Sequence, residues 1–194
     1  MNVYDFDNTI YDGESVIDFF FFCLKKKPAL AKLLPVVVST WVKYKLCVVS
    51  LEELTVRAEK YACRFLREAG ELRAGVREFW DTHERKIKPF YKNLQREDDL
   101  VLSASCDFLL DEICRRIGIK NCIASSIDTE TGKINFICYH QNKVELLRQT
   151  YPDAVVDNFY TDSKNDLPMM RLARNAYLVK GNKITKMRLK EGAE

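Results

Sequence analysis

Histidine and proline are scarce in this 194-residue chain, with two and five copies, and no stretch is both long and apolar. The longest uncharged run, residues 33–42, is well short of the ~18 residues of a membrane-spanning helix. The seven cysteines (Cys23, Cys47, Cys63, Cys106, Cys114, Cys122 and Cys138) are odd in number, scattered, and without a C-x-x-C pair. That excludes a disulfide framework or a zinc site and implies buried thiols in a reducing cytoplasm. Acidic residues stand where a secretion signal would need basic and then apolar ones, so none is expected. Internal repeats and low-complexity segments are absent.

What is present is unevenly charged. Residues 15–92 hold 16 Lys/Arg against 9 Asp/Glu, a net of +7, and the remainder holds 15 against 19, a net of −4. The first nine residues end in Asp5-Phe6-Asp7-Asn8-Thr9. In an extended chain residues i, i+2 and i+4 project to one side, so Asp5, Asp7 and Thr9 can converge at the tip of a short strand. Adjacent carboxylates repel and ask for a cation or a shared proton. The plainer reading is a turn, because Asp, Asn and Thr are common turn and cap residues.

The rest of the chain gives that motif a context. Helical patterns run over residues 15–26, 28–49, 51–68 and 71–86, with Pro35 dividing or kinking the second. Ser50 and Glu53 have capping-box spacing. Afterwards short apolar runs alternate with helices. Strands are expected at 100–103, 121–126, 133–138, 154–160 and 176–179, then a final strand after the Gly181-Asn182 turn. Helices are expected at 107–117, 141–151 and 167–174. Such alternation predicts a doubly wound, Rossmann-like parallel α/β sheet, built from residues 1–14 and 93–194, with residues 15–92 as an inserted all-helical cap. Strand ends of a parallel sheet share one edge, which is where open α/β sheets bind ligands. Ser103, Lys143 and the Asp162–Asp166 segment would join Asp5 and Asp7 there.

This set suits phosphoryl chemistry. A carboxylate nucleophile divides a very slow hydrolysis into two steps. A hard cation such as Mg²⁺ offsets the anionic repulsion, a serine hydroxyl and a lysine ammonium hold phosphate oxygens, and a second carboxyl moves the proton.

These four segments, in this order, resemble the motifs of the haloacid dehalogenase superfamily, and an insert directly after the first motif resembles its phosphoserine-phosphatase-like branch. The resemblance implies a Mg²⁺-dependent phosphomonoester hydrolase working through an aspartyl-phosphate. Asp5 would be nucleophile and metal ligand. Asp7 would be general acid/base, with its backbone carbonyl on the metal. Asp162 would ligate Mg²⁺ with Asp166 in support, and Ser103, Lys143 and Asn8 would hold phosphate. Superfamily dehalogenases generally lack the second aspartate of the first motif, so Asp7 favours phosphate over halide. Two positions depart from the pattern: Thr161 stands where glycine is usual, and Ala104-Ser105 replaces two glycines after Ser103.

The substrate is read from the cap. Glu14 occupies the position where phosphoserine phosphatases contact the amino-acid end of their substrate, which favours a small phosphorylated metabolite, although a solvated helix-start glutamate reads equally well. Arg57, Arg64, Arg67, Arg73 and Arg77 are candidates for a substrate carboxylate. Between Asp18 and Glu52 there are six lysines and no acidic residue, interleaved with Phe19–Phe22, Val36–Val38 and Trp41. That pattern fits a helix lying on an anionic membrane surface, and the region resembles the cap of phosphatidylglycerophosphate phosphatases. The competing reading buries the aromatics as cap core beneath snorkelling lysines. A nucleic-acid partner is not expected. Phosphate transfer to another acceptor, and phosphate binding without catalysis, are the remaining alternatives.

Overall fold

The computed structural model describes residues 1–46 and 50–188. Seven strands form one sheet in the order β4-β3-β2-β1-β5-β6-β7. They are β1 (Asn2–Tyr4), β2 (Leu100–Cys106), β3 (Asn121–Ile127), β4 (Ile134–Phe136), β5 (Asn158–Thr161), β6 (Asn175–Lys180) and β7 (Lys183–Lys186). The five central strands run parallel, and β4 and β7 close the edges antiparallel. β1 lies at the centre. The chain works outward from it to β2 and β3, then crosses back to β5 and β6. The direction therefore reverses between β1 and β5, the crevice where a doubly wound sheet receives its ligand.

Both faces of the sheet are covered, which explains the strands' nearly continuous apolar runs. On one face Val3, Leu100, Leu102 and Phe159 pack with Leu147 of α7 (Gln141–Thr150) and with Met169 and Met170 of α8 (Leu167–Leu172). On the other face Tyr4, Tyr160 and Tyr177 stack across β1, β5 and β6 at centroid distances of 4.6 and 4.8 Å. Tyr91 meets Tyr4 edge-on at 5.0 Å. Tyr91 belongs to a six-residue helix, α5 (Pro89–Leu94), which is too short for its period to show in the sequence.

Between β1 and β2 the chain is helical: α1 (Ser15–Lys26), α2 (Leu34–Lys45), α3 (Leu51–Ala69), α4 (Leu72–His83) and α5. The expected 28–49 helix is split into a 3₁₀ segment, Pro28–Leu33, and α2. Pro35 sits in the first turn of α2, where its missing N–H costs nothing; residues 47–49 of that expectation lie outside the described residues. Ser50 caps α3 by accepting from the Glu53 N–H at 3.1 Å. The expected 154–160 strand begins only at Asn158.

These helices share one hydrophobic cluster with the sheet. Phe19 and Phe20 of α1 and Phe79 and Trp80 of α4 are buried with Phe6, Tyr11, Leu109 and Ile113, Leu109 and Ile113 coming from α6 (Asp107–Arg116). Trp80 lies edge-on to Phe6 and Tyr11, and its Nε1–H donates to the Leu109 carbonyl at 2.8 Å. α3 reaches the β3–β4 hairpin, where Glu59 accepts from the Ile134 N–H at 3.0 Å. Gly132, at φ +78°, packs so closely on Cys63 that a Cβ would lie 2.4 Å from its backbone nitrogen.

Trp80 therefore joins insert and sheet by packing and by a hydrogen bond. Trp80→Ala should lower unfolding free energy by about 3–5 kcal/mol, measured by urea denaturation; a loss below about 1 kcal/mol would contradict this account.

Candidate active site

The sheet's hydrogen bonding carries one residue past β1. Asp5 N–H donates to the Tyr160 carbonyl at 2.9 Å, so the carboxylate stands at the strand tip. The Phe6 carbonyl then accepts from the N–H groups of Thr9, Ile10 and Tyr11 at 3.2, 2.8 and 2.9 Å. This closes a tight turn in which Asn8 adopts φ +55°, a left-handed conformation that asparagine tolerates better than most residues. The strand end presents Asp5, and from Phe6 onward the turn reading is the one realised, so the turn rather than an extended chain aims Asp7. Thr9 is fully buried, with its hydroxyl 3.4 Å from Asp5 Oδ2.

Three other segments arrive at the same point. A small crevice is lined by Asp5, Asp7, Glu14, Ser103, Asp162 and Asp166, among others. Lys143, from the first turn of α7, extends its ammonium to Asp5 Oδ1 at 2.8 Å and to Asp166 Oδ1 at 2.9 Å. Burial opposes charge on this lysine, but Asp166 and Asp5 outweigh it and hold the pKa above the ordinary lysine value. Burial pushes the Asp5 pKa above the ordinary carboxylate value, the Lys143 ammonium pulls it down, and Asp166 and Asp162 add to the rise.

Thr161, where glycine was expected, makes contacts that glycine could not. Its hydroxyl donates to Asp166 Oδ2 at 2.7 Å and accepts from the Ser163 N–H at 3.1 Å.

Asp7 is held separately. Its Oδ1 accepts from the Ser15 N–H at 2.8 Å and its Oδ2 from the Ser105 hydroxyl at 2.5 Å, and the two serine oxygens are 2.9 Å apart. Ser105 reaches Asp7 because β2 and β3 lose register between Ser103 and Cys106. The bulge leaves Ala104 and Ser105 outside the ladder and re-aims them. Burial, reinforced by Glu14, raises Asp7 to about 6 despite the hydrogen bonds from Ser105 and Ser15.

The sequence-predicted residues are thus brought together, with two refinements. Asn8, expected to hold phosphate, donates its Nδ2 to Glu14 Oε1 at 2.5 Å, and its carbonyl accepts from the Lys88 ammonium. Asn8 accordingly braces the loop and Glu14. Ser103 is buried, and its hydroxyl accepts from the Ser105 N–H at 3.1 Å. Lys88 was not anticipated: it is only 4% exposed, and burial lowers its pKa while Asp12 and Asp162 pull upward. A Lys-Pro pair at the start of a short helix carries no sequence signal for such a role. His140 is exposed at the N-terminus of α7 with φ +48°. His83 is stacked on Phe79 at 4.1 Å.

Among the described residues no three His, Cys, Asp or Glu side chains close on a point as a finished metal cage. The donor set nevertheless fits a hard cation, because Asp5, Asp162 and Asp166 concentrate carboxylate charge where oxygen ligands, backbone carbonyls and water suffice for magnesium.

The comparisons with known proteins agree with this architecture. A family model described as haloacid dehalogenase-like hydrolase matches residues 3–171. A histidinol-phosphatase from Neisseria meningitidis serogroup C (strain 8013) is 32% identical over 89 residues, covering 39% of this chain and 40% of that protein; the match thus spans well under half the length of this curated relative. A protein of unknown function from Bordetella pertussis Tohama I superposes with a TM-score of 0.69 at 21% identity, covering 88% of this chain and 85% of the other. A phosphoserine phosphohydrolase-like protein from Francisella tularensis subsp. tularensis SCHU S4 superposes with a TM-score of 0.56 at 16% identity, covering 91% and 86%. At these identities the two structures establish the fold.

The raised Asp7 carboxyl has a consequence for stability. Between about pH 4 and pH 6 the folded chain holds more of this proton than the unfolded chain, so stability falls as pH rises through that window. Asp7→Asn should therefore melt higher than the parent at pH 7–8, by the equivalent of about 1–2 kcal/mol. The difference should close as pH falls toward 4. Melting curves across this range check it, and a variant no more stable at neutral pH would contradict the burial account.

Proposed function

The chain belongs to the haloacid dehalogenase-like hydrolases, and from that premise we propose that it hydrolyses phosphate monoesters through a phospho-Asp5 intermediate. The observation that carries this reading is the separate environment of the two carboxylates. Asp5 faces the Lys143 ammonium at 2.8 Å, as a nucleophile approaching an anionic phosphate requires. Asp7 is held away from that ammonium by the Ser105 hydroxyl and the Ser15 N–H, a placement from which a general acid can serve the leaving oxygen.

In the first half-reaction an Asp5 carboxylate oxygen attacks phosphorus. The bond from phosphorus to the leaving oxygen breaks, and protonated Asp7 gives its proton to that oxygen, releasing the alcohol. In the second half-reaction Asp7, now a carboxylate, takes a proton from a water molecule that attacks phospho-Asp5. Inorganic phosphate leaves and Asp5 is restored. Lys143 neutralises charge on the nucleophile side, Ser103 offers a buried hydroxyl beside it, and Ser105 with Ser15 N–H holds the Asp7 carboxyl in place. Asp5, Asp162 and the Asp7 carbonyl, with Asp166 in support, would hold magnesium, which supplies positive charge against nucleophile–phosphate repulsion. Residues 15–92 would act as the cap, with Glu14 and Arg57 reaching the substrate side.

A small amino-acid phosphate draws support from Glu14 and from Arg57, which line one cavity together with Asp7. A lipid phosphate at a membrane surface is the second reading, favoured by a specific surface. Val38, Trp41, Val42 and Leu46 lie at helical spacing along and just beyond α2, and each is more than a third exposed. Lys25, Lys27 and Lys32 are exposed nearby in sequence. In α1 Phe19 and Phe20 are core, whereas Phe21 is 41% exposed. Among the described residues no helix is long and apolar enough to cross a membrane, which leaves an interfacial arrangement.

Two measurements test these readings. With Mg²⁺ and a broad panel of phosphate esters, wild-type protein should release phosphate and carry a hydroxylamine-sensitive covalent phosphate. Asp5→Asn should lose on the order of 10³-fold or more in kcat, and chelation should abolish turnover; unchanged turnover in Asp5→Asn would refute the mechanism. In co-sedimentation with phosphatidylglycerol-containing vesicles, binding should fall at high salt and weaken in Trp41→Ser. Equal partitioning with and without vesicles would remove the membrane reading.

A further inference from the structure

A cavity of about 290 Å³ lies between α1, α2 and α3 on one side and β2, β3, β4 and the start of α6 on the other. Its inner end is the reacting centre, because Asp7, Glu14 and Ser105 form part of its wall. Beyond them the wall is made by such side chains as Phe20, Leu33, Val37, Phe65, Phe108 and Ile134. Among the polar side chains of the wall, Arg57 donates its Nε to Glu53 at 2.8 Å, and the Ser125 hydroxyl donates to the Ala104 carbonyl at 2.8 Å.

Wall chemistry and volume together limit what can enter. A phosphoserine-like alcohol would find charged partners only in Glu14 and Arg57 and would leave the rest of this apolar wall unfilled. An apolar group gains from the same wall. An apolar cavity of about 150 Å³ accepts one benzene ring, and the present one is nearly twice that size, room for one chain of roughly ten carbons. A second chain would have to remain outside.

We propose that the substrate is a phosphate monoester whose alcohol carries a single apolar chain of about ten carbons, held in this cavity while its phosphate meets Asp5. The assignment rests on the phosphomonoesterase reading and narrows it to a substrate class. One water is consumed, and the single-chain alcohol and inorganic phosphate are released.

The test is a series of n-alkyl phosphates from ethyl to hexadecyl, each below its micellar concentration, with Mg²⁺. Values of kcat/KM should rise about three- to fourfold per methylene up to roughly ten carbons and then level. Ala58 and Ala62 of α3 both line the cavity. Ala58→Phe and, as an independent and milder filling, Ala62→Leu should each lower the decyl-to-ethyl ratio of kcat/KM, the former by about tenfold or more. Binding of non-hydrolysable n-decylphosphonate, followed by calorimetry, supplies a readout separate from turnover. Hydrolysis of short esters with no dependence on chain length would overturn the inference while leaving the phosphomonoesterase reading intact. Decylphosphonate binding that is lost on filling the cavity, without hydrolysis of any ester, would support the cavity assignment and overturn the reaction. Preference for a two-chain phospholipid ester over decyl phosphate would overturn the single-chain assignment.

Discussion

Lys143 carries a full positive charge with only 1% of its surface exposed, and the crevice between β1 and β5 is organised by that constraint. Removing an ammonium from water costs several kcal/mol unless anionic partners and hydrogen bonds offset it. Two carboxylates do so, one from each strand that borders the crevice. Asp5 follows β1, and Asp166 lies just beyond β5, anchored by the Thr161 hydroxyl. The arrangement joins the first strand, the seventh helix and the loop after the fifth strand in one ionic contact. The requirement to bury this charge in compensated form and the requirement to neutralise an incoming phosphate are met by the same atoms.

Asp7 stands apart from that network by a small backbone irregularity. Two residues of β2 leave the ladder with β3, and one of them, Ser105, delivers a hydroxyl to Asp7. Side chains two residues apart thereby acquire different surroundings. One is governed by a lysine, the other by serine donors and the neighbouring Glu14 charge. Separate partners hold and aim the two carboxyl groups independently, which a division between nucleophile and proton carrier needs.

The helical insert reaches this centre through shared packing. Phe19, Phe79 and Trp80 belong to the same cluster as Tyr4 and Phe6, and α3 is tied to the β3–β4 hairpin by Glu59 and by the close approach of Cys63 to Gly132. Packing on this scale leaves the apolar cavity beside Asp7 as a bounded space, with α2 turning the remaining apolar residues outward. The insert's basic and apolar character, readable in the sequence, is therefore divided in the structure between a core, a cavity wall and an exposed row.

Local periodicity settled much of this chain in advance. The opening motif put Asp5 at a strand end, although Asp7 lies in the turn beyond it; alternating strand and helix patterns gave the parallel sheet, and α1 was bounded correctly from Ser15 to Lys26. Interactions within a turn or a strand depend on neighbours a few residues away, so they are written directly in the sequence. The contacts that specify the site are of another kind. Ser105 with Asp7, Lys88 with the Asn8 carbonyl, and the cavity wall shared by α1, α2, α3, β2 and β4 bring together residues dozens of positions apart, the first of them by way of a single bulge. Composition and spacing carry no record of such distances. They were decided only when burial of the apolar faces forced those segments to meet.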